Sequence, residues 1–303
     1  DLHRRRHSFP TRRSSDLADE PVRAIRMKSD SSLMSALKAV ALGKATAVVT
    51  AGNSGAALVG GALVFGKVSG VSRPAIGSFI PTLKSPVFCL DLGANSDVKA
   101  EQLRQFAIMG SLFVSQHRAG TPRVALLSNG AEAYKGSYVV KEAFSLLQSE
   151  NKIHFIGNIE PAEVLQGQAD VVVSDGFSGN VMLKSVEGTV KALRELIKMS
   201  MSASVLRRIV GWCMRPFLKS VFSSVDYARQ GGALLLGVRK PLIISHGCSD
   251  EVAIENSILF AQKIVDSGLT ERFNKNLEEQ LGVTQIRSES FSEASNFHVE
   301  YEL

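Results

Sequence analysis

A repeating pattern of apolar and polar positions dominates this chain. Runs of β-branched and apolar residues end at a glycine beside Asn, Asp, Ser or His, and a stretch with helical periodicity usually follows. The pattern occurs at residues 47–55, 88–95, 124–130, 171–180 and 242–247. Short apolar runs of this kind are typical of strands buried on both faces, as in a parallel sheet between layers of helices. The alternation of strand, loop and helix therefore predicts an α/β fold with a mainly parallel sheet.

The same pattern predicts where the helices lie. Ser31 or Ser32 is the expected N-cap of the first helix, and Gly43 its end. The remaining chain after Gly268 is polar and acidic in places, which predicts a partly disordered tail. Prolines at residues 74, 81 and 86 indicate short strands joined by turns. The predicted helices span residues 31–42, 55–67, 100–116, 137–148, 161–165 and 252–265, and a long helix opens at Ser178 or Gly179 and continues to residue 201.

Residues 202–224 differ from the rest of the pattern, because apolar and cationic residues alternate there without an acidic residue. This composition is typical of an amphipathic helix that lies on an anionic membrane. A helical hairpin buried against the body of the protein or against a second subunit fits it as well. The residues expected at such a tip are Trp212, Phe217, Leu218, Phe222, Arg207, Arg208, Arg215 and Lys219.

Composition narrows the class of protein. The chain has 303 residues, of which 45% are apolar, enough for one large or two smaller domains. No apolar run reaches the roughly 20 residues of a spanning helix, and the first residues lack the apolar centre of a signal peptide. The three cysteines are scattered without a metal or disulfide pattern, which fits reduced thiols in a cytosol.

The net charge of +6 is concentrated in part at the start, where residues 1–17 hold five arginines and two aspartates. A basic arm for nucleic acid is one interpretation of this opening. A second interpretation, which we adopt, is that this segment is foreign to the protein. We therefore expect no nucleic-acid partner. The predicted organisation is a non-native or disordered basic segment at 1–17, an α/β domain at 18–267 with a helical tip at 202–224, and a polar tail at 268–303.

Polar loops at the carboxyl ends of several strands predict a site for a phosphate-like anion at one edge of the sheet. Asn180, Lys184 and Glu187 recur on one face of a helix, and Lys184 leans back toward the mouth of this site. An ammonium there suits phosphate or a developing oxyanion. The alternative is that Lys184 only pairs with Glu187 on a solvated face. Neither a Walker loop nor a GxGxxG motif occurs, so the sequence does not support nucleotide binding.

Three further loops carry candidate chemistry. Residues 51–55 combine two glycines, an amide, a hydroxyl and a helix start, which is either an anion-binding loop or an ordinary tight turn. Asp91 follows a strand and can bind a metal, act as a base or cap a turn. No His or second carboxylate is spaced to complete a metal site, so we predict no metal and no cofactor. His246 suits proton transfer near neutral pH, or is structural.

The motifs together carry a resemblance. TAGNSGA, DLGANSD, LLSNGAEAYKG, GNIEP, VVVSDGFSGNVMLKSVEG and DYARQGGALLLG, with a later SHG, occur in this order. Over residues 18–265 the chain closely resembles the bacterial phosphate acyltransferases of phospholipid synthesis. The resemblance implies a three-layer α/β/α fold, similar to phosphotransacetylases and isocitrate-dehydrogenase-like proteins. It also implies transfer of a long-chain acyl group from acyl carrier protein to inorganic phosphate.

The resemblance has implications for partners and location. It implies a homodimer that lies peripherally on the cytoplasmic membrane through the helical tip, and it favours the membrane interpretation of residues 202–224. The acyl phosphate would serve a glycerol-3-phosphate acyltransferase. Members begin with a strand and a glycine-aspartate loop, which the arginine-rich opening replaces here, so we expect one strand and one wall of the site to be missing. The alternatives are a soluble phosphate acetyl- or butyryltransferase acting on coenzyme A thioesters, or an inactive membrane-associated fragment.

Under this interpretation three residues are candidates for catalysis, namely Lys184, Asn180 and His246. The resemblance and the loop chemistry together assign a further set to binding phosphate and substrate. These candidates are Asn53, Ser54, Gly55, Asp91, Gly93, Asn95, Asn129, Asp175, Gly176 and Gly179.

Overall fold

The computed structural model describes residues 25, 27, 28, 30–224, 231–247 and 249–282, so the predicted basic segment at 1–17 and the end of the tail lie outside the described residues. The strands found there are β1 (Val48–Thr50), β2 (Ala75–Ile80), β3 (Val87–Leu90), β4 (Arg123–Leu127), β5 (His154–Ile159), β6 (Val171–Val173), β7 (Ala233–Leu236) and β8 (Leu242–Ile244). The helices found there are α1 (Ser32–Ala41), α2 (Ser54–Val64), α3 (Ala100–Ser115), α4 (Tyr138–Gln148), α5 (Pro161–Leu165), α6 (Gly176–Ser202), α7 (Val205–Ser224), α8 (Glu251–Asp266) and α9 (Leu269–Gln280).

The strands form one sheet in the order β1-β8-β7-β2-β3-β6-β4-β5. The pairs β1/β8, β3/β6, β6/β4 and β4/β5 are parallel, as the apolar pattern predicted. Strands β2 and β7 run antiparallel to their neighbours, so the sheet is mixed. The proline-rich turn between β2 and β3 is too short for a crossover connection, which forces the antiparallel pairing. Strand β7 was not predicted as a strand.

Helices cover both faces of the sheet, which makes the fold a three-layer α/β structure as predicted. Strand β3 illustrates this layering, because all four of its residues are buried. Phe88 and Leu90 pack into one apolar cluster with residues of α3, α4, α8 and α9. Val87 and Cys89 pack into a second cluster with residues of α1, α2, α5 and α6. Alternate side chains of a strand therefore serve opposite layers.

Polar caps define where the predicted helices begin. The Ser31 side chain accepts a hydrogen bond from the Met34 N–H, so Ser31 is the N-cap of α1, one of the two predicted candidates. Helix α6 begins at Gly176, two or three residues before its predicted start at Ser178 or Gly179, because Asp175 is its N-cap. The first residues of α6 therefore belong to the helix and not to a loop.

The polar chain after Gly268, predicted as a partly disordered tail, begins with a helix that the prediction did not include. Helix α9 follows Gly268, and its residues Leu269, Phe273 and Leu277 are buried. Their spacing of four residues forms one apolar stripe that packs in the cluster containing α3. The polar residues that suggested a tail lie on the opposite face of this helix.

Helix α7 corresponds to the predicted tip and packs on α6. Its apolar residues are largely exposed, with 75% of Trp212 and 64% of Phe217 accessible. The expectation of a hairpin buried against the body of the same chain is therefore wrong for these two side chains. No helix in the described ranges is long and apolar enough to cross a membrane.

Candidate active site

One cavity of about 1190 Å³ lies over β2 and extends along α6. The loops after β1, β3 and β8 contribute residues 52–55, Gly93 and His246 to its lining. The face of α6 that carries Asn180 and Lys184 forms a side wall. Three antiparallel pairings separate β8 from β3, so β1 and β8 run opposite to β3 and β6. The prediction that all the polar loops lie at one edge of the sheet is therefore wrong, and the cavity brings loops of both directions together over one face of the sheet.

The N-terminus of α2 supplies an anion-binding element to this cavity. Asn53 is its N-cap, and its Oδ1 accepts a hydrogen bond of 2.9 Å from the Ala56 N–H. The N–H groups of Ser54 and Gly55 precede the first possible intrahelical bond and have no acceptor within the helix. Both residues line the cavity. The helix dipole and these N–H groups together favour a negatively charged group at this point.

Lys184 brings a positive charge to the same cavity. Its Nζ lies 2.9 Å from Oε2 of Glu187, and both residues line the cavity. The ion pair that sequence analysis gave as the alternative to a site residue is therefore present, and it is located at the candidate site. Asn180 lies one turn earlier on α6, and a Cβ placed on Gly93 would be 3.7 Å from the Asn180 side chain. The Asn180 amide thus lies over the loop after β3.

The loop after β8 contributes His246 and Ser245 to the cavity lining. His246 is exposed and lines the cavity, and its backbone oxygen accepts from the Ser249 N–H. The neighbouring Ser245 hydroxyl donates to Ser257 Oγ at 2.8 Å, and the Ser257 hydroxyl donates to the Ala253 backbone oxygen at 2.8 Å. This chain of donors leaves the Ser245 oxygen as a fixed acceptor beside the cavity.

Asp91 is fully buried and does not face the cavity. Its Oδ1 accepts from the N–H groups of Ile76, Gly93 and Ala94, at 3.0–3.1 Å. Its Oδ2 accepts from the backbone N–H of Asn95 at 2.7 Å and from Nδ2 of Asn95 at 2.8 Å. Burial raises the pKa of Asp91 above its ordinary value, although these donors act in the opposite direction. Asp91 therefore orders the loop that presents Gly93.

Asn95 is committed to the same framework. Its Nδ2 donates to the Pro74 backbone oxygen at 2.8 Å as well as to Asp91, and the residue is buried. This loop contributes two residues to the cavity lining, Leu92 and Gly93. The structure thus separates the predicted residues of the DLGAN motif into a framework pair and one cavity residue.

The start of α6 packs against this loop without facing the cavity. Asp175 caps the helix, since its carboxylate accepts from the Ser178 N–H at 2.7 Å and from the Ser178 hydroxyl at 2.8 Å. A Cβ on Gly179 would lie 2.0 Å from the Asp91 backbone oxygen, and one on Gly176 would lie 2.7 Å from the Asn95 nitrogen. Both glycines therefore permit close packing of backbone on backbone.

Asn129 lies away from the cavity. It follows β4, which is separated from β2 by β3 and β6, and its Oδ1 accepts from the Gly136 N–H at 2.9 Å. The side chain closes its own loop. In the described ranges, no group of three or more His, Cys, Asp or Glu side chains is placed to hold a metal ion.

Comparison with known proteins identifies the family. A family model described as "Fatty acid synthesis protein" matches residues 13–272. A phosphate acyltransferase of Geobacillus thermodenitrificans is 42% identical over 265 residues, which cover 87% of this chain and 80% of the relative. A phosphate acyltransferase of an Exiguobacterium species is 43% identical over 260 residues, covering 85% and 78%. The chain belongs to the phosphate acyltransferase family.

The fold of this family member is also found in a solved structure. A phosphotransacetylase from Streptococcus pyogenes superposes with a TM-score of 0.51 at 19% identity, covering 80% of this chain and 70% of that chain. At this identity the likeness shows the fold alone. The predicted phosphotransacetylase-like fold is therefore confirmed.

The apolar part of the cavity in this acyltransferase family member was not predicted from the sequence. Ile76 and Ile80 of β2, Leu165 of α5, and Val186 and Val190 of α6 give it an apolar wall. Lys191 and Arg194 continue along α6 at three- and four-residue steps from Lys184 and Glu187, and they line the cavity as well. This spacing along one face of a helix is the sequence signal that could have identified Lys191 and Arg194.

Proposed function

We propose that this chain transfers a long-chain acyl group from acyl carrier protein to inorganic phosphate and so makes acyl phosphate for phospholipid synthesis. One observation carries the proposal. A single cavity is lined both by the candidate anion-binding residues Ser54, Gly55 and Lys184 and by apolar residues along α6. Acyl phosphate has the same two parts, a charged head and an apolar chain. The names of the related phosphate acyltransferases support this assignment.

In the proposed reaction, the N–H groups of Ser54 and Gly55 and the Asn53 loop hold phosphate. A phosphate oxygen attacks the carbonyl carbon of the thioester, and the carbonyl oxygen gains the negative charge. Lys184 and the amide of Asn180 stabilise this oxyanion. The carbon–sulfur bond then breaks, and the electron pair leaves with the sulfur. Holding phosphate near the carbonyl supplies much of the rate enhancement, because the thioester is already activated.

His246 completes the proton balance in this proposal. Its imidazole accepts the proton that phosphate loses on attack and returns it to the leaving thiolate of the carrier. The exposed position of His246 at the cavity wall permits both transfers. The products are acyl phosphate and the free thiol of acyl carrier protein.

Several predicted site residues act indirectly in this proposal. Asp91 and Asn95 position Gly93, and Asp175, Gly176 and Gly179 position the start of α6 with Asn180. We assign Asn129 no part in binding phosphate, because it lies away from the cavity.

Helix α7 is the proposed membrane contact. Trp212 and Phe217 are exposed, and cations lie among them without an acidic residue. Apolar side chains of this helix would enter the headgroup boundary of the cytoplasmic membrane while its Arg and Lys residues remain with anionic headgroups. A second copy of the chain is a further proposed partner, and a glycerol-3-phosphate acyltransferase would take the lipophilic product.

Phosphate-dependent release of free carrier protein tests the function. We expect palmitoyl-loaded carrier to release its thiol only when phosphate is present, with acyl phosphate trapped by hydroxylamine. Acetyl-loaded carrier and acetyl-coenzyme A should react far more slowly, because an acetyl group leaves the apolar wall empty. Faster reaction of acetyl-coenzyme A would favour the soluble acetyltransferase alternative. No release from either substrate would contradict the proposal.

A further inference from the structure

The cavity continues beyond the proposed phosphate end along one face of α6. Leu183, Val186 and Val190 recur there at three- and four-residue steps, so they form one stripe. Ile80 and Leu165 line the same cavity from β2 and α5. Val186 and Val190 are only partly buried, although both are apolar. This stripe thus has apolar surface available to a ligand.

The length of the groove follows from the geometry of the helix. Asn180 at the proposed reaction end and Arg194 at the other end are separated by about 21 Å along the axis, at roughly 1.5 Å per residue. The charged residues of this stretch lie beside the apolar stripe, so their heads can remain in water while their stems cover apolar surface. The groove is therefore long and apolar on one side.

A contact between two helices marks its far end. The guanidinium carbon of Arg194 lies 5.2 Å from the centroid of the Phe222 ring on α7, within cation–π distance. Both residues line the cavity. Phe222 also belongs to the helix that we propose to lie on the membrane.

We propose that this groove holds the acyl chain and that the Arg194–Phe222 contact limits the length of chain it accepts. This inference rests on the proposed function, since it assigns the acyl part of that substrate to the described residues. The carbonyl then lies near Asn180 and Lys184, and the methyl end of the chain points toward α7. Each further methylene is buried against the apolar stripe until the chain meets Phe222.

Two substitutions with opposite expected effects test the groove. Val190→Phe adds bulk about two thirds of the way from Asn180 to Arg194, and should lower kcat/KM for palmitoyl carrier relative to octanoyl carrier by about tenfold or more. Phe222→Ala opens the far end, and should raise the ratio of stearoyl to palmitoyl activity. Ratios between substrates do not depend on the fraction of active enzyme, so partial misfolding cannot mimic either result.

Val181→Phe is the matched control, because Val181 is exposed on the same helix and does not line the cavity. It should leave all chain-length ratios unchanged. Equal losses for palmitoyl and octanoyl carrier in Val190→Phe, or unchanged ratios in both variants, would overturn the groove while leaving the proposed function intact. If the unsubstituted chain releases no carrier from any of these substrates, the proposed function itself fails.

Discussion

The ammonium nitrogen of Lys184 lies 2.9 Å from Oε2 of Glu187 at the wall of the cavity. The lysine side chain is 43% exposed and the glutamate side chain 18% exposed. An ion pair this accessible to water contributes little to folding stability. Its consequence is positional, since Glu187 holds a positive charge at the wall of the cavity that the N-terminus of α2 also lines.

Replacing Lys184 therefore tests catalysis without testing the fold. Lys184→Ala should lower kcat/KM for the phosphate-dependent release of carrier by about 10²-fold or more, because one donor to a developing oxyanion is lost. It should also raise the KM for phosphate. The free energy of unfolding should change by less than about 1 kcal/mol, as measured by urea titration.

Lys198 provides the control for this prediction. Its Nζ lies 3.6 Å from Oε2 of Glu195 on the same helix, and neither residue lines the cavity. Lys198→Ala removes a similar ion pair and should leave the kinetics unchanged. Equal activity of the two variants would remove Lys184 from the proposed site.

Two glycines of α6 are predicted to respond to the same substitution in opposite directions. A Cβ on Gly179 would lie 2.0 Å from the Asp91 backbone oxygen, whereas one on Gly188 would meet nothing within 4 Å. Gly179→Ala should cost about 1–3 kcal/mol of unfolding free energy and displace the helix start from the loop of Gly93. Gly188→Ala should add about 0.5–1 kcal/mol, because alanine loses less entropy in a helix.

Urea unfolding of both variants measures this difference, and carrier release measures its consequence for the site. Gly179→Ala should also reduce activity, whereas Gly188→Ala should retain it. Similar stability of the two variants would show that the backbone contact at Gly179 is not tight.

Several residues of the candidate site were predictable from the sequence. Which of the predicted residues face the cavity and which hold the surrounding loops was not. Residues 52–55, Lys184 and His246 follow predicted strands and line the cavity. The expected reason was wrong, because β6, which precedes Lys184, runs opposite to β1 and β8. Strand order is not encoded in such local patterns, so Asn129 was expected at the site although β4 lies remote from it. A sequence motif also does not show the direction of a side chain. The Asp91 carboxylate accepts from backbone N–H groups and does not face the cavity.

The apolar half of the cavity was missed for a different reason. Val186 and Val190 have the spacing of ordinary core residues, and only the tertiary structure leaves them partly uncovered. Strand β7 was missed because it follows directly on a glycine pair. The buried stripe of α9 was missed because charged residues dominate its composition.

Acid should weaken a second ion pair, remote from the site. Asp170 accepts from Arg123 Nε at 3.0 Å, and Arg118 Nη1 lies 3.7 Å from its Oδ1. Burial acts to raise the pKa of Asp170, but the hydrogen bonds from Arg123 outweigh it and lower the pKa below 3.8. The folded chain then binds fewer protons than the unfolded chain near this pH. The stability from Asp170 is therefore present above about pH 4 and is lost as pH falls through the folded pKa.

Comparison with Asp170→Asn isolates this contribution. At pH 7 the variant should be less stable than the unsubstituted chain by about 1 kcal/mol, since the carboxylate bridges β4 and the start of β6. The difference should shrink as pH is lowered below about 4. Glu195→Gln, which removes an exposed carboxylate, should show almost no difference at either pH. A gap between Asp170→Asn and the unsubstituted chain that stays constant with pH would contradict the assignment.

The exposed apolar side chains of α7 give the last prediction. Each basic residue near an anionic surface contributes about 1 kcal/mol to binding, and burial of Trp212 and Phe217 in the headgroup boundary adds to it. The unsubstituted chain should therefore float with anionic vesicles, and Trp212→Glu/Phe217→Glu should remain in the soluble fraction while still releasing carrier protein in solution. Leu42→Glu/Leu63→Glu, which changes two exposed leucines outside α7, should float like the unsubstituted chain. If the Trp212/Phe217 variant also floats, α7 does not contact lipid, and a contact between two copies of the chain becomes the better explanation of its apolar surface.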